Sequence, residues 1–592
     1  MKTLLTTISL FVMAILLAMP TKSFAQAADT VDVAVLPVGN INTVINADTL
    51  QGGLRAHPNR VWRLKRAAIY QLTEPLKIKG NLKLVAPDGT DRPPVLVPAV
   101  LADGSSIDNF INLIGVGGKV LLKNLYLLSF TTENNQLGWS EAIRLNADSI
   151  KLTMKNVYLD GFTSAGIRQY SKWSSLDVQD CSFRNMQHGT SYFGGQPFMT
   201  DGLCSHDTVK FYNNTFFCNN SYTFSIRGYD RFAAFEHNTL VYGMVNPFLM
   251  RQAYNLHMNN NVFYAMHAYG GIPEHVRDTW FLNYPDTLQS GIIFLRAKTD
   301  TVDGNVLLGE EAFIDSASKV YAPMVDPKNR VVEISNNSYF FPQALTDFYK
   351  QYNDTVKTTD VRYGVPVKRT LTMAAWIENY TQKNIDSVFP KVSPLVTVKN
   401  NQSADPGFQS AITGHISLVN AYIAKIATNT LDKPWFFSPS GKQYPPAWPL
   451  AENLTYTNTA LQTAGKDGLP LGDLNWFPAK KATWKDPYTT GVETIKSTQP
   501  SEYSLSQNYP NPFNPETKIQ FSMKSSERVR LVVYNILGQA VRTLVNQDMK
   551  AGTYSVSFNG RDDLGKQLAS GIYMYSLETS SFKVTKKMML VK

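Results

Sequence analysis

Short apolar segments that alternate with polar positions recur through the middle of the chain, between residues 113 and 341. Eight of them are split by an Asn or Asp, as in MKNVYLDGF from Met154 and NNNVFYAM from Asn259. Alternation with a period of two predicts strands. The dividing residues are spaced by 32, 24, 34, 24, 23, 44 and 32 positions, so a base period near 24 with insertions indicates a repeat architecture. They are Asn124, Asn156, Asp180, Asn214, Asn238, Asn261, Asn305 and Asn337.

A single strand-turn-strand unit cannot bury its own apolar face, whereas stacked units bury a continuous core. We therefore predict an all-β fold in which each repeat is one coil of a right-handed parallel β-helix. Inserted stretches become loops on one side. Asn tolerates left-handed turn geometry, and stacked amides can hydrogen-bond from coil to coil. The eight dividing residues are accordingly predicted to form an internal structural ladder.

A second pattern places an Arg directly after an apolar residue, 9 to 12 positions before the next dividing residue. Strand alternation would point the apolar partner inward and the Arg outward, on one shared face. Stacked coils lie about 4.8 Å apart, so guanidinium groups at that spacing repel unless anions lie among them. Those anions are either protein carboxylates, such as Glu141, Asp177 and Asp230, or an extended polyanion along the helix axis. The arginines are Arg144, Arg168, Arg227, Arg251 and Arg296.

Two long insertions, residues 185–203 and 267–287, are rich in aromatic residues, histidines and glycines. Long loops on a rigid scaffold often carry function, and this composition suits a sugar-binding rim. The alternative is that the loops only pack over the tube. The residues concerned are His188, Tyr192, His267, Tyr269, His275, Arg277 and Trp280.

The two ends of the chain differ from the middle. One cation, an apolar run from Leu4 to Met19 and small residues at Ser23 and Ala25 predict a cleavable signal peptide over residues 1–25. No later stretch is long and apolar enough to span a bilayer. Residues 26–483 are predicted to form the β-helix domain, with a non-repetitive part after Phe341 that wraps the end of the tube and has helices near 345–352 and 374–380. Residues 484–506 have the composition of a linker.

Residues 507–592 contain short alternating segments between Gly, Asn and Asp turns, which predict an antiparallel β-sandwich. Their phrases NYPNPFNP, YNILGQ, GTYSVSFNGRD, SGIYMY and KKMMLVK closely resemble the C-terminal sorting domain of proteins exported by the type IX secretion system. The resemblance implies a partnership with that machinery, export through the periplasm across an outer membrane, and release or surface attachment after removal of this domain.

The region from Asn81 to Gly414 resembles the pectate-lyase-like β-helix superfamily, and the resemblance is architectural. It implies an acidic polysaccharide as partner and a lyase that acts by β-elimination, which needs charge neutralisation, a base and a proton donor. The candidates for catalysis are Arg168, Arg227, Arg251, Lys172, His188 and His267. The candidates for substrate binding are Arg144, Arg296, Tyr192, Tyr269 and Trp280.

Calcium accompanies such chemistry in the superfamily and would need clustered carboxylates, for which Asp160, Asp177, Asp180 and Asp201 are the candidates. No cofactor is required by the sequence itself. The paired carboxylates of β-helix hydrolases are missing, because the one Asp-Asp pair, Asp562-Asp563, lies in the C-terminal domain. A non-catalytic glycan-binding or adhesive surface protein is the alternative to a lyase.

Charge and cysteine content change this picture little. The formal net charge is +10, but no nucleic-acid-binding motif accompanies it, so no nucleic acid partner is expected. Three cysteines without metal-ligand spacing, Cys181, Cys204 and Cys218, are expected to be small core residues. A monomer is expected.

Overall fold

The computed structural model describes most of the chain after the predicted signal peptide, which lies outside the described residues. The described ranges are 29–51, 54–191, 194–201, 204–270, 291–295, 301–302, 305–306, 331–355, 359–360, 367–368, 371–377, 381–382, 385–386, 395–428, 430–488, 492–496, 500–549, 551–562 and 567–591.

Three parallel sheets, here called A, B and C, run along a tube, and from Val61 onward the chain visits them in that order. Four long strands turn a corner and contribute to two sheets: Lys119–Leu128 and Lys151–Asp160 join A to B, and Phe224–Glu236 and Phe248–Asn259 join C to A. This confirms the predicted parallel β-helix.

The remaining strands belong to one sheet each. In sheet A they are Thr30–Asp32, Val61–Arg63, Leu82–Val85, Ser174–Gln179, His206–Tyr212, Val331–Ser335 and Leu395–Lys399. In sheet B they are Ile69–Leu72, Val95–Pro98, Ser182–Arg184, Thr215–Asn219, Thr239–Gly243, Val262–Tyr264, Ser338–Phe340 and Gln402–Ser403. In sheet C they are Leu76–Ile78, Asn109–Leu113, Glu141–Leu145, Ala165–Gln169, Gln196–Thr200, Gly291–Leu295 and Ala375–Ile377.

The tube is filled by rows of apolar side chains that stack from coil to coil. Aromatic rings occupy the middle coils, where the centroids of Phe183 and Phe216 are 4.9 Å apart and those of Phe224 and Phe248 are 4.8 Å apart. These rings are at most 1% exposed. Burial of this surface is the main stabilising contribution, at roughly 25 cal/mol per Å² of apolar area removed from water.

Two adjacent rows of stacked residues, rather than one, form the corner between sheets A and B. The first row adopts the left-handed conformation, with φ between 53° and 61°. The second row follows one residue later and points its amides along the tube. The dividing residues predicted from the sequence are therefore split, because Asn124, Asn156 and Asp180 belong to the left-handed row. In later coils that row contains Asn213, His237, Asn260, Asn336 and Asn400.

The second row is an amide ladder of Asn214, Asn238, Asn261, Asn337 and Asn401. The Nδ2 of Asn238 donates to Oδ1 of Asn261 at 3.0 Å and to the Phe211 carbonyl at 2.9 Å. Its Oδ1 accepts from both the backbone N–H and Nδ2 of Asn214. Each inner amide thus satisfies two donors and two lone pairs, which makes an amide tolerable inside an apolar tube.

Asn305 differs from the prediction that it continues the ladder. The backbone of Asn305–Val306 pairs antiparallel with Thr301–Val302, in a local hairpin outside the three sheets. The ladder passes directly from Asn261 to Asn337, 76 residues away in sequence, and continues to Asn401.

Residues 430–488, here called the covering segment, lie along the side of the tube over sheet B, rather than across its end as predicted. Trp448 Nε1 donates to the Thr90 carbonyl of an early coil, and at the other extreme Asn336 Nδ2 donates to the Ala464 carbonyl. The predicted second helix is also different, because Ala375–Ile377 is a strand of sheet C. The helices of the described residues include Asn40–Ala47, Gln343–Thr355, Ser410–Thr413, Ile416–Thr428 and Pro478–Lys481, with 3₁₀ turns at Leu461–Thr463 and Leu474–Trp476.

The C-terminal domain is a sandwich of two four-stranded antiparallel sheets. One contains Val492–Lys496, Ser504–Leu505, Thr517–Met523 and Gly552–Phe558, and the other contains Glu527–Tyr534, Ala540–Met549, Gly571–Glu578 and Lys583–Leu590. Parts of the predicted linker over residues 484–506 are therefore structured. Trp484 and Tyr488 pack against Tyr212 of the tube, and Val492–Lys496 pairs with the sandwich.

All three cysteines are buried free thiols, as expected. Among the described residues, no helix has the length and apolar character that a membrane crossing requires.

Candidate functional site

The arginines of sheet C do not form one continuous row. Arg168 is in register with Arg144 on one side and with Met199 on the other. Met199 aligns with Ser225, so Arg227 lies two residues beyond the row. Arg251 is displaced in the same way, because Ser225 aligns with Leu249. Arg227 and Arg251 are displaced because Phe224 and Phe248 occupy the inward-facing position that Ile143 and Ile167 occupy in the earlier coils. The sequence pattern had assigned that position to Ile226 and Met250.

Arg144 and Arg168 are paired with protein carboxylates. Glu141 accepts from both, at 2.6 Å from Arg144 Nε and 2.8 Å from Arg168 Nη1. Arg144 Nη2 also donates to Asp108 at 3.2 Å, and Arg168 Nε donates to Asp201 at 2.7 Å. Of the two sources of anions that the sequence left open, the structure therefore supplies protein carboxylates to these two guanidinium groups. The side chains of Arg227 and Arg251 and the whole of Arg296 lie outside the described residues.

The network keeps its two arginines charged. Burial acts to lower the pKa of Arg168, but hydrogen bonds and charges from Asp201 and Glu141 outweigh burial, so its pKa is raised. The pKa of Arg144 is raised in the same way, with Glu141 and Asp108 opposing burial. Burial and the Glu141 charge raise the pKa of Tyr170 to about 12, so this phenol stays neutral.

Two exposed aromatic rings flank these arginines. The guanidinium carbon of Arg168 lies 5.9 Å from the ring centroid of Trp139 and 5.0 Å from that of Tyr170. Trp139 is nevertheless 52% exposed and Tyr170 43% exposed. We call this surface, made of Trp139, Glu141, Arg144, Arg168 and Tyr170 with the outer carboxylates Asp108 and Asp201, the arginine–aromatic patch.

The other predicted site residues are dispersed. His188 lies at the edge of the patch, with its ring centroid 6.4 Å from that of Trp139. Lys172 is exposed, and its backbone N–H donates to Asp148. His267 is buried, and burial lowers its pKa to about 3, so it remains neutral. Tyr269 is half-buried against the apolar cluster between the tube and helix 416–428. Tyr192, His275, Arg277 and Trp280 lie outside the described residues.

The four candidate calcium ligands do not converge. Asp160 binds Arg184 at 2.5 Å, Asp180 binds Lys481 at 2.6 Å and Asp201 binds Arg168. Asp177 accepts from Gln179 at 2.9 Å. Over the described ranges, no group of three or more His, Cys, Asp or Glu side chains is arranged to hold a metal. These residues therefore do not fit a calcium site.

Trp139 and Tyr170 are the functional candidates that the sequence analysis missed. Trp139 lies two residues before the strand of Arg144, and Tyr170 immediately follows that of Arg168. The signal was available as aromatic residues at the ends of two neighbouring sheet C strands. It was hidden because both residues lie outside the long insertions where aromatics were sought.

A second charged cluster lies beneath the covering segment. Arg184 Nη1 donates to Asp160 at 2.5 Å, and its Nε donates to Glu452 of the covering segment at 2.7 Å. Tyr126 donates to the same Asp160 oxygen at 2.6 Å. The Asp160 and Glu452 side chains are fully buried. The cluster is inaccessible to a ligand and fastens the covering segment to the tube.

Two further carboxyl groups on this side have raised pKa values. Burial raises the pKa of Glu236 to about 8, against hydrogen bonds from Tyr488 at 2.7 Å and Asn259 at 2.8 Å. Burial likewise raises the pKa of Asp473 to about 7, against the hydrogen bond from Thr215 at 2.7 Å. Perturbed carboxyl groups can mark catalytic sites, but both of these are enclosed by the covering segment.

Comparison with known proteins informs the C-terminal domain. Residues 508–582 match the family model of the FlgD Ig-like domain. No curated protein matches the chain. Two solved structures from Porphyromonas gingivalis are similar to a small part of it. For dimeric latent PorU the identity is 16%, and the alignment covers 15% of this chain and 9% of that one, with a TM-score of 0.14.

The second is PorZ, described as an essential bacterial surface component of the type-IX secretion system. It is 18% identical over 16% of this chain and 13% of its own length, with a TM-score of 0.12. The chain thus spans far less than two thirds of either structure. Because both TM-scores are low, neither likeness carries an argument about the function of the tube.

Proposed function

We propose that this protein is a secreted or surface-attached β-helix protein that binds polysaccharide without cleaving it, through the arginine–aromatic patch. The observation that carries the proposal is the pair of half-exposed rings, Trp139 and Tyr170, which both lie beside the guanidinium of Arg168. Aromatic faces pack well against the apolar C–H faces of sugar rings, and a rigid sheet fixes their spacing.

Binding is favoured over β-elimination because the arginines of the patch are engaged by Glu141, Asp108 and Asp201. A lyase needs cations that are available to neutralise the substrate carboxylate. His267, one of the predicted catalytic groups, is buried, and Lys172 has no described side-chain contact with the patch. The lyase remains the competing proposal.

The route of export is part of the same proposal. The sorting motifs over residues 508–592, together with the match of residues 508–582 to an Ig-like domain, support delivery by the type IX system. Removal of the sandwich is expected to retain the protein in the periplasm, and normal surface delivery of the shortened chain would overturn this assignment.

Catalysis and binding are separated by one experiment on the mature protein. We expect binding to immobilised polysaccharide, measured by affinity electrophoresis, and no ultraviolet absorbance from unsaturated uronate products after prolonged incubation with acidic polysaccharides. Unsaturated products that disappear in Arg168→Ala would establish a lyase. Absence of both binding and unsaturated products with every polysaccharide tested would overturn both proposals.

A further inference from the structure

We infer that the arginine–aromatic patch selects uncharged polysaccharide chains over acidic ones, an inference that rests on the proposed glycan-binding function of the same patch. It departs from the acidic partner that the sequence resemblance implies. The reason lies in how the charges of the patch are balanced.

The directly bonded groups of the patch are two guanidinium groups and three carboxylates: Arg144 and Arg168 against Glu141, Asp108 and Asp201. Their net charge is therefore −1. An acidic chain placed over this network meets an excess of negative charge at short range, where like charges repel.

An acidic ligand would also have to displace existing partners. Glu141 is fully buried and holds both arginines, so its exchange for a ligand carboxylate would leave a buried charge unpaired. Displacement of Asp201 or Asp108 is less costly, because their side chains are 30% and 58% exposed. Such an exchange would nevertheless replace one ion pair by another and add a net negative charge to the patch.

An uncharged chain finds complementary groups on the same surface. Sugar hydroxyls are hydrogen-bond donors, and the half-exposed carboxylate oxygens of Asp108 and Asp201 are acceptors. The rings of Trp139 and Tyr170 offer stacking surfaces, and the guanidinium of Arg168 orients both of them before a ligand arrives. Preorganised rings lose little entropy on binding.

Salt dependence provides an independent signature. Association that depends on stacking and hydroxyl contacts should change little with ionic strength. Binding of a polyanion to exposed cations weakens as salt screens the charges, over a Debye length of about 10 Å at 0.1 M.

The test uses the mature protein and affinity electrophoresis in gels that contain xyloglucan or galactomannan as neutral chains, and polygalacturonate or alginate as acidic chains. We expect a neutral chain to bind at least about tenfold more tightly than either acidic chain, equivalent to one decade in Kd. That affinity should stay within about twofold between low and high salt. Trp139→Ala and Tyr170→Ala should each weaken it by about tenfold.

Two controls accompany these variants. Val116→Ala removes a side chain that is 76% exposed and lies outside the patch, and it should leave binding unchanged. The double variant Asp108→Asn with Asp201→Asn changes the net charge of the patch from −1 to +1 and should strengthen binding of the acidic chains.

The outcomes are distinguishable. Salt-sensitive binding of acidic chains that is lost in Trp139→Ala would overturn the selectivity and keep the proposed function. Binding of a neutral chain that is insensitive to both aromatic substitutions would overturn the assignment to this patch. Failure to bind any chain would overturn the proposed function itself.

Discussion

Arg168 on sheet C and Arg184 on sheet B each bridge two carboxylates, but Arg184 lies beneath the covering segment, whereas Arg168 lies on a partly exposed surface. The Arg184 side chain is 6% exposed beneath the covering segment, and both of its partners are fully buried. The Arg168 side chain is 16% exposed, and its partner Asp201 is 30% exposed. The same chemical arrangement therefore fastens one face of the tube and is partly exposed on the other face.

The contrast extends beyond these two arginines. The covered face has buried polar contacts to residues 451–488 at three places, where Arg184 binds Glu452, Thr215 binds Asp473 and Glu236 binds Tyr488. The open face has exposed rings and half-exposed carboxylates instead. A buried charge that loses its partner is costly, whereas an exposed one is solvated by water. Substitutions on the two faces should accordingly have different consequences.

The largest effect is expected for Arg184→Ala. The substitution leaves Asp160 and Glu452 buried without their cation, which should lower the free energy of unfolding by about 3–5 kcal/mol. The matched variant Arg168→Ala should cost about 1 kcal/mol, because Glu141 retains Arg144 and Asp201 is hydrated. Urea denaturation of the tube transition measures both, and equal losses would contradict the distinction between the two faces.

Asn238→Leu should rank second. The amide ladder lies at the corner beside the covering segment, where Asn475 donates to the Asn213 carbonyl. Leu removes the acceptor of Asn214 and the donor to Asn261 inside the tube, at a cost of about 2–4 kcal/mol.

The control for the ladder is Asn156→Gly in the neighbouring left-handed row. Gly accommodates the φ of 54° at that position, and only the hydrogen bond to Asn124 at 2.8 Å and that from Tyr158 are lost. A cost of about 1 kcal/mol or less is expected. Similar losses of stability in Asn238→Leu and Asn156→Gly, compared by thermal unfolding, would show that the satisfied amides of the ladder contribute little to stability.

The covered face should also respond to pH through Glu236. Its pKa is raised to about 8 in the folded chain from a usual value of 4.5, so its contribution to stability is present at low pH and is lost as pH rises through 8. Between pH 5 and 9, stability should fall by about 1–3 kcal/mol more in the native chain than in Glu236→Gln, which cannot ionise. Parallel pH profiles of denaturation midpoints for the two proteins would contradict the assignment of a neutral buried carboxyl.

The smallest effect is expected from removal of the C-terminal sandwich. The sandwich contacts the end of the covering segment through two hydrogen bonds. Asn559 donates to the Pro487 carbonyl at 2.9 Å, and Arg542 donates to the Tyr488 carbonyl at 3.3 Å. A chain ended after Tyr488 should keep the stability of the tube within about 1 kcal/mol.

A chain ended after Pro500 keeps Val492–Lys496 without its partner Gly552–Phe558. That strand should be cleaved rapidly in limited proteolysis, while the tube stays intact. Loss of the tube in either shortened chain would show that the covering segment depends on the sandwich.

Much of the architecture was predictable because its causes are local. Alternating apolar residues around Asn156 or Asn238 are enough to indicate strand, turn and strand, and the repeat indicates stacking. The sandwich was readable for the same reason, since its turns and alternation lie within short segments. Its extra strand Val492–Lys496 was missed because the flanking composition is that of a linker.

The register between coils was not predictable from one sequence. Asn156 and Asn214 appear equivalent in their phrases, yet a shift of one residue places them in different rows of the same corner. Arg168 and Arg227 both follow Ile, yet a shift of two residues separates them. In each case the register is set by the side chains that pack against each other in neighbouring coils, as Phe224 packs on Phe248.

The sequence by itself determined a stack of β coils, because the period and alternation specify which residues can be buried together. Only the tertiary structure decided which charged groups are covered. Glu452 and Arg184 are 268 residues apart, and Glu141 and Arg168 are 27 apart, so no local pattern reveals that one pair is sealed and the other open. That difference arises from the path of residues 430–488 along sheet B, and it leaves Trp139 and Tyr170 exposed on sheet C.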